Sequence, residues 1–255
     1  MPMRATTVRF AETLWALVER EAQREGVSAA QFIRDASIMR AAYAMGRRGD
    51  PDFESALERT QAVPAGERFR NGAERRQALL GAAAAARDPE RVSALEATGL
   101  LDSDSDPVFD RHARLAAQVL NAPVALVSLV DADRQFFKSC LGLPEPWASQ
   151  RVSPLSHSFC QHAVASRVPL IVDDAREHGL LRDNPAIRDM GVVAYAGIPL
   201  IDGDGNALGT LCVIDSQPRH WTSHQVQLLA DLAASVVTEI TLARQARETP
   251  LEPAR

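Results

Sequence analysis

The chain has 255 residues, of which 46% are apolar and 24% charged, the balance of a globular protein. That excludes wholesale disorder, a collagen-like repeat and a disulfide scaffold. At ~100–200 residues per domain it allows one large domain or two unequal ones. A net charge of −5 excludes a general polyanion binder.

The charge is uneven along the chain. The first fifty residues hold eight arginines against six carboxylates, a surplus of +2, so the remainder carries −7. This mild polarity is compatible with a front end that faces nucleic acid. Lys138 is the only lysine, and the heavy Arg and Ala usage reads first as genome composition. Cys140, Cys160 and Cys212 are odd in number and lack CxxC spacing, which suggests neither a structural zinc site nor a disulfide framework. The longest apolar stretch, Leu79 to Ala86, is far below the ~20 residues of a membrane span. The start, Met-Pro-Met-Arg, lacks the apolar core of a secretory signal. The expectation is a cytoplasmic protein with no membrane partner.

The segment Arg4-Ala5-Thr6-Thr7-Val8-Arg9-Phe10 alternates over its second half and predicts one short strand. A helix follows through Leu14, Leu17, Val18 and Ala22, stopped by Gly26. Ser28 with Gln31 makes a capping box for a second helix carrying Phe32, Ile33, Ala36, Met39 and Tyr43. Strand, helix and helix within about 45 residues cannot close a core alone, so the unit asks for a second copy. Residues 49–87, with Pro51, Pro64, Gly66, Gly72 and Gly81, read as a partly helical linker.

A compact region begins near Asp88-Pro89. Helical patterns run through Val92, Leu95 and Leu100, then Phe109, Ala113, Ala116 and Leu120. Strands are expected at 124–130, at 135–139 as its hairpin partner, and at 170–172, 193–201 and 207–214, with a helix at about 158–166. The turn Asp202-Gly203-Asp204-Gly205-Asn206 between two apolar runs is a hairpin signal. A long helix from about Ser223 to Arg247 carries Val226, Leu229, Ala233, Val236, Ile240 and Ala243 near a heptad seam. That seam suits packing on its own sheet or a projecting dimer helix, and the spacing leaves both open. The parts are residues 1–48, a linker 49–87, the compact domain 88–248 and a tail 249–255.

Residues 4–45 resemble the ribbon-helix-helix family of DNA-binding proteins. Thr7-Val8-Arg9-Phe10, Gly26-Val27-Ser28 and Phe32-Ile33-Arg34-Asp35-Ala36 carry the likeness. The resemblance implies a homodimer whose paired strands enter the DNA major groove. Val8 and Phe10 would then face the shared core, and Ala5, Thr7 and Arg9 the bases. Arg9 suits a bidentate contact with guanine, Thr7 a hydroxyl or methyl contact, and Ser28 with the N–H groups after it a phosphate. Ala5 departs from the pattern, since that family places a polar or basic reader there.

Residues 88–247 resemble a GAF domain of the bacterial sensor-kinase type. The match runs through Leu129-Val130-Asp131, Arg134-Gln135-Phe136-Phe137-Lys138-Ser139, Ser158-Phe159-Cys160, His162-Ala163, Tyr195-Ala196-Gly197 and Gly209-Thr210-Leu211-Cys212-Val213-Ile214-Asp215. The implied fold is α+β: an antiparallel sheet of five or six strands, with helices on one face and a ligand cavity on the other. Candidate pocket residues are Phe137, Ser158, Cys160, His162, Asp173, Tyr195 and Thr210. For Cys160 and His162 the readings are bilin attachment, a haem or metal ligand, a redox thiol, or inert packing. Gln161 intervenes where photoreceptor GAF domains place His directly after the chromophore Cys. A lone Cys and His do not complete a zinc site.

Asp131, Asp133, Asp173 and Asp174 form a tempting carboxylate cluster, although Asp at strand ends usually serves turns. No GxGxxG, Walker loop, GxSxG or HExxH is present. The expectation is a sensory transcriptional regulator that is not an enzyme, with no named cofactor and no metal. It would be a homodimer, with DNA and a small-molecule ligand as possible partners. The alternatives are a signalling module that binds a protein without DNA, and a thiol enzyme such as a free methionine sulfoxide reductase. The cysteine spacing does not resemble that last family.

Overall fold

The computed structural model describes residues 11–24, 29, 33, 37 and 72–248. The chain divides into two compact units, Met1–Val63 and Pro64–Arg255. In the first, helix α1 spans Glu12–Arg24. Ala22 is buried and Val18 half-buried on it, while Leu14 and Leu17 are 46% and 42% exposed. Ala29, Ile33 and Ser37, spaced by four, are also helical. The expected ribbon, with Thr7 and Arg9, and the expected cap Ser28 lie outside the described residues.

The second unit starts with three helices, α2 (Gly72–Ala86), α3 (Pro89–Thr98) and α4 (Pro107–Leu120). Local chemistry sets their ends. Asp88 accepts from the Arg91 N–H at 3.0 Å and Asp106 from the Val108 N–H at 2.9 Å, each followed by a proline at the first helical position. Gly99 and Asn121 close α3 and α4 in the left-handed conformation.

The rest is β1 (Val124–Val130), β2 (Arg134–Leu141), α5 (Trp147–Gln150), β3 (Val152–Pro154), a 3-10 turn, α6 (Cys160–Ser166), β4 (Leu170–Val172), α7 (Ala186–Asp189), β5 (Ala194–Ile201), β6 (Ala207–Asp215) and α8 (Ser223–Glu248). The six strands form one sheet in the order β3-β2-β1-β6-β5-β4, with every pairing antiparallel. The expected sheet of five or six strands has six. The three-residue β3 gave no sequence signal, and it exists only through its pairing with β2.

Side chains alternate between two buried faces. Ala125, Val127 and Leu129 of β1 meet Phe109 and Leu120 of α4 and Val226, Leu229 and Val236 of α8 on the first face. Leu126 and Val130, with Tyr195, Cys212 and Ile214, face the second. Burial on both sides is why β1 and β6 read as continuous apolar runs rather than alternating ones.

The α8 seam foreseen from the heptad spacing is spent on this sheet, at roughly 1.5–3 kcal/mol per large apolar side chain. Among the described residues, Ser223–Arg247 is the one helix long and apolar enough to cross a membrane by length and composition, and its seam is buried in the domain core. Helix α2, inside the expected linker, packs on α6 and buries Ala82 and Ala86.

The register of β1 against β2 slips after Val127, which pairs Ser139, while Ser128 pairs Phe137. Lys138 is the extra residue of this bulge. Its ammonium donates to Ser103 Oγ and to the Asp104 carbonyl, both at 2.7 Å, and sits over the Phe109 ring. The single lysine is a structural tie.

Candidate sensor site

The second face is roofed by α6, by the 173–193 connection and by α2, whose Ala86 belongs to this core. A hydrogen-bond network sets the entry to α6. Ser158 Oγ donates to Gln135 Oε1 and accepts from the Gln161 N–H at 3.0 Å. Gln161 Nε2 in turn donates to the Leu155 and Ser158 carbonyls at 2.7 and 3.0 Å. Ser158 therefore orients the helix, and Gln135 and Gln161, which carried no signal beyond the motif, complete its network.

That orientation aims Cys160 at the sheet. Its Sγ lies 4.0 Å from Sγ of Cys212 on β6 and accepts a hydrogen bond from the Tyr195 hydroxyl of β5 at 3.3 Å. Ser128 and Thr210, register partners on β1 and β6, turn their hydroxyls to the same place. Both are fully buried, and neither hydroxyl makes a well-formed hydrogen bond. Burial pushes the Cys160 thiol up. Hydrogen bonding with Cys212, Thr210, Tyr195 and Ser128 outweighs it and brings the thiol down to about 7. The Cys212 thiol moves up, through its bond to Cys160 and its burial. Burial and the neighbouring sulfurs raise Tyr195.

Of the seven pocket candidates, Cys160, Tyr195 and Thr210 are brought together here, with Phe137 buried opposite Ser128. Ser128 and Cys212 complete the cluster and were not foreseen as site residues. The alternating side-chain direction along β1 and β6 places them on this face, and a serine and a cysteine within continuous apolar runs were the available signal.

His162 is buried on α6, with Nε2 lacking a hydrogen bond. Burial, with the nearby His178 second, lowers it to about 4. Asp173 is not brought to the cluster: it is exposed, pairs with His220 at 3.3 Å and accepts from the Trp221 N–H. The tempting carboxylates do not converge either. Asp131 pairs with Arg134 and closes a turn, and Asp174 pairs with Arg176. Among the described residues, no three His, Cys, Asp or Glu are placed to hold a metal ion.

An aromatic clasp fastens the roof. The Trp147 ring lies 5.3 Å from that of His157, whose Nε2 is 3.2 Å from Asp189, and Trp147 Nε1 donates to the Asp189 carbonyl. On the opposite side of the sheet an open groove of about 260 Å³ runs between α3, α8 and the 202–206 turn. Ala94, Leu208 and Ile240 line it, together with the Arg244–Asp204 ion pair.

The six-stranded antiparallel sheet carries α3, α4 and α8 on one face and, on the other, a partly polar cluster roofed by α6 and α2. The sequence model of the GAF domain matches residues 104–240, and the chain belongs to the GAF domain family. It is 34% identical over 152 residues to a cyclic di-GMP phosphodiesterase of Pseudomonas aeruginosa, covering 59% of this chain. The chain spans about a quarter of that relative's length, 25%. Among solved structures it is similar to the GAF domain of a phosphoenolpyruvate-protein phosphotransferase from Coxiella burnetii, at 16% identity and a TM-score of 0.49, covering 62% of this chain and 97% of that one. It is also similar to a free methionine-R-sulfoxide reductase from Neisseria meningitidis, at 18% identity and a TM-score of 0.46, covering 68% and 92%.

Proposed function

We propose that this GAF protein is a one-component sensory regulator: the GAF unit receives a signal at its second face, and the N-terminal unit, paired with a second copy, binds DNA. The buried cluster of Ser128, Thr210, Tyr195, Cys160 and Cys212 carries the sensor half of this reading. Two fully buried hydroxyls without a well-formed bond converge there on one sulfur, and buried polar groups of this kind are few in a folded core. For the front end, the surplus of arginine and the exposure of Leu14 and Leu17 on α1 support a paired, DNA-facing unit. The two halves would be linked through their shared dimer, a signal that favours one GAF arrangement altering DNA affinity. Thr7 and Arg9 would read bases and Ser28 a phosphate.

The test is a gel shift with genomic fragments at several salt concentrations. Retardation that weakens with salt is expected, and Arg9→Ala should abolish discrimination between sites while leaving circular dichroism unchanged. No retardation at low salt by an intact dimer overturns the DNA half.

A second reading is a signalling module that docks a protein partner and does not touch DNA. It is favoured by Leu115 and Val119, 37% and 48% exposed on the outer side of α4. Deleting residues 1–63 separates the readings, since that cut leaves α2 on its packing partner. Full cellular activity of the shortened chain supports the second.

A further inference from the structure

We propose that Cys160 and Cys212 are a peroxide-responsive thiol pair that closes to an intramolecular disulfide between α6 and β6. The proposal rests on the second face being the sensing face and names the signal class as a hydroperoxide.

Contact between two buried sulfurs is the first observation. At 4.0 Å they are about 2 Å from the bonding distance of a disulfide, a gap that side-chain rotation and a small approach of the seven-residue α6 can close. The second is the surroundings of Cys160. Tyr195 donates to its sulfur at 3.3 Å, and Ser128 and Thr210 turn fully buried hydroxyls toward it that have no well-formed bond elsewhere. A neutral thiol is a poor acceptor for three hydroxyls, whereas a thiolate satisfies them. The same hydroxyls then suit the oxygen of a sulfenate. Cys140, on β2, has no sulfur partner among the described residues and burial pushes its thiol up, so it serves as an internal reference.

The chemistry closes without another reactant. The Cys160 thiolate attacks the terminal oxygen of a hydroperoxide. An S–O bond forms, the O–O bond breaks, and the alkoxide leaves and takes up a proton as an alcohol, or as water from hydrogen peroxide. The sulfur has lost two electrons. The Cys212 sulfur then attacks the Cys160 sulfur, forming the S–S bond. The S–O bond breaks, and the oxygen departs as water carrying the Cys212 proton and one more. Closure draws α6 toward β6, and α2, packed on α6, moves with it.

The experiment uses the reduced full-length protein and hydrogen peroxide, quenched with acid and alkylated after denaturation. The intact mass should lose two hydrogens, and the peptide map should join Cys160 to Cys212. With its thiol brought down by its hydrogen bonds while burial pushes that of Cys140 up, Cys160 should be oxidised ahead of Cys140. Cys212→Ala should stop at a sulfenic acid that a cyclic dione traps, and Cys160→Ala should leave Cys212 unoxidised. Full alkylation of both Cys160 and Cys212 under conditions that oxidise Cys140 overturns the proposal, even if both variants fail to fold. A gel shift on the same samples is read separately. Loss of DNA binding as such leaves the thiol result standing, and a peroxide-insensitive thiol pair leaves the regulator reading standing.

Discussion

Arg75 of α2 donates twice to the carbonyl of Leu180, from Nε at 3.2 Å and from Nη2 at 3.1 Å, and pairs with Asp183 as well. This guanidinium fastens the last helix before the GAF core to the connection that roofs the second face. The ties are partly buried and charge-assisted, so they stabilise α2 beyond its alanine-rich packing. Arg75→Ala should lower the local opening free energy of α2 by about 1–2 kcal/mol while changing global stability less. Hydrogen exchange of the α2 amides measures it, and unchanged protection there would refute the role given to Arg75.

Gly197 lets the Tyr195 ring lie flat along β5 toward Cys160. A Cβ at Gly197 would fall 2.1 Å from the Tyr195 hydroxyl oxygen and 2.5 Å from the adjacent ring carbon. Tyr195 is 1% exposed and has no solvent to retreat into. Gly197→Ala should therefore push the hydroxyl off Cys160 and destabilise the domain by roughly 1–3 kcal/mol. Losing the Tyr195 donor should also raise the pH at which Cys160 alkylates. Alkylation followed against pH, beside urea unfolding, checks both; a variant with unchanged values in each would contradict the close approach.

The strands that pair across the middle of the sheet were legible because each is a continuous apolar run bounded by Asp, Gly or Asn. β3 was not, because three residues beside Arg151 have no period of their own. Their place is decided by Arg151, which donates to the carbonyls of Phe137, Lys138 and Ser103. Of the site, Cys160, Tyr195 and Thr210 were visible through the family motif. Cys212 was visible as a motif letter but not as the neighbour of Cys160, since 52 residues separate them and only the β6 register brings them together. Asp173 was a pocket candidate through the family likeness, and it serves the Trp221 turn instead, the usual role of an Asp at a strand end. The role of Lys138 was hidden by a one-residue bulge that no side-chain pattern announces.

Arg91 is 4% exposed and reaches from α3 into the sheet. Its Nη1 donates to the Val130 carbonyl at 2.7 Å and its Nη2 to the carbonyl of Ala86, tying the end of β1 to the end of α2. Burial pushes its pKa below the usual guanidinium value, with Asp131 and Asp88 opposing. Arg91→Met keeps the apolar stem and strands those carbonyls, so a loss of about 2–4 kcal/mol is expected. The urea midpoint should fall with little change in slope. A midpoint equal to that of the parent would show that water replaces the guanidinium at no cost.

His162 gives the domain a stability that depends on acidity. In the fold its imidazole is lowered from 6.5 to about 4, by burial first and by His178 second. Above 6.5 the group is neutral both folded and unfolded and contributes no slope. Between 6.5 and 4 the unfolded chain takes up a proton that the fold refuses, so stability falls as pH falls and levels off below 4. At ~1.36 kcal/mol per pH unit the interval amounts to roughly 3 kcal/mol. His162→Gln, which cannot charge, should remove this component: the difference in unfolding free energy between parent and variant should be flat above pH 6.5 and change only between 6.5 and 4. Parallel curves for the two proteins through that window would place the acid sensitivity elsewhere in the domain.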